Sequence, residues 1–141
     1  MRTPDEPTHN VELVLRCFDA FRSRDVDTLL ALLHPDVEVR SLMTEAERPV
    51  YLGHEGVRDW FHAVLDIFPD WNPTASDLRD MGDAVLIEID VVATAAGSGV
   101  PIDQRVWAAA MVRDDRLSWY GFFRTEDDAI EAVATARLRG L

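Results

Sequence analysis

The chain has 141 residues, 48% of them hydrophobic and 28% charged, with a formal net charge of −12. That size suits one domain with a single core, and the acidic balance argues against nucleic acid or an anionic membrane as partner, since both need a positive footprint. One cysteine, Cys17, excludes an internal disulfide and a cysteine zinc cluster.

The N-terminal run MRTPDEPTHN has no apolar core for a signal peptide, and no later run approaches a membrane span, so a cytoplasmic protein is expected. Residues 1–8 are polar with two prolines and are expected to form a loose tail ahead of a single domain over 9–141. Val11, Val14, Leu15, Phe18 and Phe21 recur at helical spacing between about His9 and Arg24. A short second helix is predicted from Asp25 to Leu33, stopped by His34-Pro35. Asp36 to Leu42 alternates as a strand with Val37, Val39 and Ser41 on one face, and Thr44 to Gly53 reads as a polar loop. Val57, Trp60, Phe61, Val64, Leu65 and Phe68 then form one helical stripe ending at Pro69.

The rest is strand until the last helix. Trp71 to Arg79 and Ala84 to Thr94 are predicted strands around a Gly82-Asp83 turn. With a turn at Gly97-Ser98, Ile87 faces Ala108 and Ile89 faces Val106, placing Val85, Ile87, Ile89, Val91, Ile102 and Gln104 on the inner face. A tight turn at Asp114-Asp115 sets Arg113 opposite Arg116. Carried along the ladder, it pairs Val112 with Leu117, Ala110 with Trp119, Ala108 with Gly121 and Val106 with Phe123. This face has a shallow centre at Ala108, Ala110 and Gly121, which suggests a covered cavity. The opposite face carries Arg105, Trp107, Tyr120, Phe122 and Arg124 beside Glu88 and Asp90. Thr125 caps a final helix to about Leu138. A curved sheet wrapped around helices, an α+β half-barrel, accommodates this order.

The stretches FRSRDVDTLLALLHPDVEV, YLGHEGVRDWF, FPDW, RDMGDAVL and SGVPIDQR resemble the SnoaL-like branch of the nuclear transport factor 2-like superfamily, from about Val11 to Ala134. The resemblance implies a cone-shaped α+β barrel with a mixed or antiparallel sheet, an interior pocket and no cofactor. It also implies a cyclase, isomerase or hydrolase acting on an apolar polyketide or terpenoid-type molecule. The non-catalytic alternative is a binding protein for a hydrophobic small molecule. Catalytic positions of such relatives fall here on Ser41, Cys17, Ala108 or Ala110, and Gly121, none of them an acid. No catalytic residue is therefore assigned.

The expected pocket residues are Cys17, Ser41, Tyr51, Trp60, Phe61, Gln104, Ala108, Trp119, Gly121 and Phe123. Arg105, Trp107, Tyr120 and Phe122 are expected in a homodimer interface, because exposed aromatics in a row are rare on a monomer. A one-residue slip would instead bring Glu88, Asp90, Arg105, Tyr120 and Arg124 inside together. His9, His34, His54 and His62 have no ligand spacing, and no metal is expected.

Overall fold

The computed structural model describes residues 8–141, so the expected tail lies outside the described residues except for Thr8. The Thr8 hydroxyl accepts from the Val11 amide at 3.2 Å and so caps α1 (His9–Arg22) by supplying an acceptor to an otherwise unpaired N–H. The apolar positions read from the sequence fall on the buried side of this helix, together with Cys17 and Ala20. Asp25 caps the short α2 (Val26–Ala31) through the Thr28 amide. The chain then enters β1 (Leu33–Arg40), running as strand through His34-Pro35, earlier than the proline suggested.

Within the expected polar loop lies a three-residue strand, β2 (Val50–Leu52), paired antiparallel with β1. Gly53, at φ +69, turns the chain directly into α3 (Gly53–Ile67), whose buried stripe includes Val57, Trp60, Phe61 and Val64. Next come β3 (Asn72–Asp80), β4 (Ala84–Thr94), β5 (Pro101–Arg113) and β6 (Arg116–Phe123), then α4 (Glu126–Leu138) capped by Thr125. The six strands form one curled, unclosed sheet in the order β2-β1-β6-β5-β4-β3, antiparallel except where β1 lies parallel to β6. No helix among the described residues is long and apolar enough to cross a membrane.

The β4–β5 register follows the sequence reading: Ile87 lies opposite Ala108 and Ile89 opposite Val106. The β5–β6 hairpin starts as expected. Asp114 and Asp115 both take positive φ, 54° and 61°, the geometry of a two-residue turn that suits strand twist. Arg113 faces Arg116 and Val112 faces Leu117. The ladder then shifts by one residue at Ser118, so that Met111 pairs with Trp119, Ala110 with Tyr120, Ala109 with Gly121, Ala108 with Phe122 and Trp107 with Phe123. An extra residue in one strand reverses the facing of everything beyond it. Tyr120 and Phe122 therefore join the inner cluster with α1 and α3, whereas Trp119 and Phe123 join an outer cluster.

That outer cluster is covered by α4, whose Ala129, Val133 and Ala136 pack over Leu86, Ala109, Met111, Trp119 and Phe123. Gly121 belongs to the same packing: a Cβ there would stand 2.9 Å from the Phe123 ring and 3.1 Å from the Trp119 ring. Arg139 fixes the end of α4 to β1 by a two-pronged pair with Glu38, at 2.9 and 3.0 Å. The outer face is thus half core and only half surface.

Candidate functional site

The inner face of the sheet and the helices α1, α2 and α3 enclose a cavity of about 30 Å³, lined by Cys17, Phe18, Phe21, Leu29, Leu33, Val39, Trp60, Pro73, Leu117 and Tyr120. This is room for about one or two waters. The polar side-chain atoms among these lining residues are the Tyr120 hydroxyl, the Cys17 thiol and the Trp60 indole N–H. Tyr120 is 9% exposed and its hydroxyl makes no hydrogen bond to a described residue, though among the described residues no fully buried side-chain N or O atom lacks a partner. Burial raises the Tyr120 phenol far above its ordinary range, with the neighbouring Cys17 adding to the effect. Burial likewise pushes the Cys17 thiol up to about 12, against a smaller opposing influence from Arg16. Both groups are neutral at physiological pH, because desolvation penalises the charged form.

The chemistry open to such a site is narrow. A neutral phenol donates one hydrogen bond in a dry, low-dielectric setting, where that bond is stronger than in water. No carboxylate or imidazole lines this cavity, so no acid–base pair stands ready for proton transfer. Cys17 at so high a pKa is a packed thiol and not a nucleophile.

Of the expected pocket residues, Cys17 and Trp60 reach this cavity, and Phe61 packs beside it on Phe21 with ring centroids 4.9 Å apart. Trp119, Gly121 and Phe123 are corrected to the outer face by the shift at Ser118. Ala108 is inward but fully buried, and the expected hollow before it is absent: Tyr120 and Phe122 stand on its face of the sheet. Gln104 keeps its register yet lies at the exposed end of β5.

Ser41 and Tyr51 fasten the loop between β1 and β2. The Thr44 amide donates to the Ser41 hydroxyl at 3.3 Å, the Tyr51 hydroxyl donates to the Thr44 hydroxyl at 3.0 Å, and that hydroxyl donates to the Arg48 carbonyl at 2.9 Å. The guanidinium of Arg48 covers the Tyr51 ring at 4.2 Å. Tyr51 is spent on this knot.

The expected interface set also divides. Tyr120 and Phe122 face inward, while Trp107 and Arg105 remain outside, Arg105 bridging Glu88 at 2.7 Å and Asp90 at 3.1 Å. Of the five residues that a wholesale slip would bring inside, only Tyr120 does so, since the shift is confined to β6. Arg124 pairs with Glu45. His9 pairs with Asp115, His34 with Asp36, and His54 meets the Leu33 carbonyl at 2.9 Å. His62 sets its ring edge-on to Phe61.

Two further spaces adjoin the cavity. A void of about 10 Å³ is lined by Ser41, Leu42, Met43, Trp60, Val64, Trp71 and Phe122. Beyond it a groove of about 420 Å³ runs between α4 and the C-terminal ends of β1 and β6, with Arg40, Ser41, Leu42, Phe122, Arg124, Glu131 and Thr135 among its walls.

A curled sheet packed over helices, with a small cavity beneath its concave face, defines a cone-type α+β protein. Residues 14–133 match the SnoaL-like domain, and the chain belongs to that family. No curated protein matches the chain. Among solved structures it is similar to TerC co-crystallised with polyporic acid, at 20% identity and a TM-score of 0.75, covering 88% of this chain and 99% of that one. It is similar to a proposed SnoaL-like polyketide cyclase from a Jannaschia species, at 20% identity and a TM-score of 0.73, covering 94% of each chain. It is also similar to IdmH, a proposed polyketide cyclase from Streptomyces antibioticus, at 23% identity and a TM-score of 0.68, covering 86% of this chain and 94% of that one. At these identities the likeness is one of fold.

Proposed function

We propose that the protein holds a neutral, largely apolar natural product of polyketide or terpenoid type inside the cone and orients it through the Tyr120 hydroxyl. The observation that carries this reading is the Tyr120 hydroxyl, which has no hydrogen-bond partner among the described residues, in a cavity lined mostly by apolar side chains. The phenol has a donor free for a ligand's carbonyl oxygen, and a hydrogen bond made in so dry a setting is stronger than one in water. Charge is unwelcome in such surroundings, so an anionic ligand is disfavoured at this point. Family membership and the ligand of TerC are consistent with a small organic molecule.

If the bound molecule is converted, the protein's part is to fold it and to steady charge growing on its carbonyl oxygen by one hydrogen bond. A cyclisation or isomerisation that needs a protein base is disfavoured, because no basic side chain lines the cavity. The same absence supports the second reading, a carrier that binds without conversion.

The test uses 6-propionyl-2-(dimethylamino)naphthalene, a neutral fluorescent ketone. Titration of the wild type is expected to give saturable binding with a blue-shifted emission. Tyr120→Phe is expected to weaken it about tenfold, the worth of one good buried hydrogen bond. Equal affinity in the two proteins would sink the reading.

We also propose a homodimer through the part of the outer face beside α4, where Trp107 is half-buried against the cluster that α4 covers and Arg105 and Val92 are exposed, the last to 61%. Tyr120 and Phe122 have no part in it.

A further inference from the structure

The interior site is too small, as it stands, for the ligand that its chemistry suits. A cavity of about 30 Å³ falls far below the roughly 300 Å³ at which small-molecule sites begin, whereas the outer groove of about 420 Å³ is large enough. The two share no lining residue, but the small void of about 10 Å³ borders both. Trp60 lines both the inner cavity and the small void, and Phe122 lines both that void and the groove. These two rings make a tilted pair, 5.8 Å between centroids and 33° between planes, and no other aromatic ring is shared between adjoining spaces. Phe122 is half-buried near the open end of β6, beside the β1–β2 loop that the Arg124–Glu45 pair holds against the strand end.

Resting on the interior reading above, we propose that a ligand reaches Tyr120 from the outer groove by passing between Phe122 and Trp60, and that this ring pair restricts the site to flat, conjugated neutral ketones. The selection follows from shape. A planar ligand replaces one ring-on-ring contact by another as it slides in, keeping the offset or tilted stacking that aromatic groups favour. A puckered aliphatic molecule of the same mass must drive the rings apart without that return. Phe122 and Trp60 are therefore specificity-determining residues, and Tyr120 is the group that the ligand's carbonyl meets.

Stopped-flow mixing with 6-propionyl-2-(dimethylamino)naphthalene tests this, with 2-adamantanone, a puckered ketone, as competitor. Phe122→Ala is expected to raise the association and dissociation rates together by about tenfold, and Phe122→Leu to raise them less. The wild type is expected to release the flat probe only at very high 2-adamantanone, and Phe122→Ala to narrow that preference. Trp60→Phe serves as the second variant if Phe122→Ala melts below the assay temperature. An association rate unchanged in both variants, with binding still dependent on Tyr120, places the entrance elsewhere and overturns the route alone. Binding that is indifferent to Tyr120→Phe overturns the interior reading and the route with it.

Discussion

At the scale of single residues, two protonated groups, Tyr120 and Cys17, face one apolar space. Cys17 carries a consequence for stability. Its folded pKa is raised from 9.0 to about 12, so between those values the folded state keeps a proton that the unfolded chain gives up. Its contribution is whole below pH 9 and is lost as pH rises toward 12. Chemical unfolding of the wild type and of Cys17→Ala across that range should show a steeper alkaline loss in the wild type. Parallel slopes would mean that the thiol is not held in the cavity wall. Neither residue's role is legible in the sequence. Resemblance alone places Cys17 near the pocket, and strand alternation puts Tyr120 on the opposite face.

The element that decides where Tyr120 points is β6. In the run from Trp119 to Phe123, aromatic residues occupy both faces, so alternation fits either register equally well and the hydrophobic pattern does not choose between them. The extra residue at Ser118 decides it. The β4–β5 register, by contrast, is readable, because apolar and charged residues alternate cleanly from Ile87 to Val91 and glycines mark the turn. β2 escapes detection because three residues make too short a pattern, and the docking face of α4 because its buried positions are mostly alanine.

Deleting Ser118 would move Tyr120 and Phe122 outward and Trp119 and Phe123 inward, each into space shaped for the other pair. The expected result is a loss of about 3 kcal/mol or more in chemical unfolding, together with loss of naphthyl ketone binding. A deletion variant as stable as the wild type would show that the shift does not set the packing. Chemical unfolding and probe titrations on one preparation give both readings.

For the whole molecule, the sheet is a wall packed on both sides. Its concave side and three helices make the interior, and its convex side is shared between α4 and an open patch. The homodimer proposed for that patch predicts twice 15.9 kDa by light scattering at micromolar concentration. Trp107→Glu should yield monomers that still bind the naphthyl ketone, since Trp107 lies on the side of the sheet away from Tyr120. A monomeric wild type would contradict the interface and leave the interior site untouched.

Contact between a ligand's carbonyl and the Tyr120 hydroxyl inside the cone is read out by vibrational spectroscopy. The probe, labelled with carbon-13 at its carbonyl, is bound to the wild type and to Tyr120→Phe, and the carbonyl stretch is recorded in each. A hydrogen bond from the phenol lowers that frequency, so the wild type should show a lower and narrower band than the variant. Identical bands in the two proteins would contradict that contact.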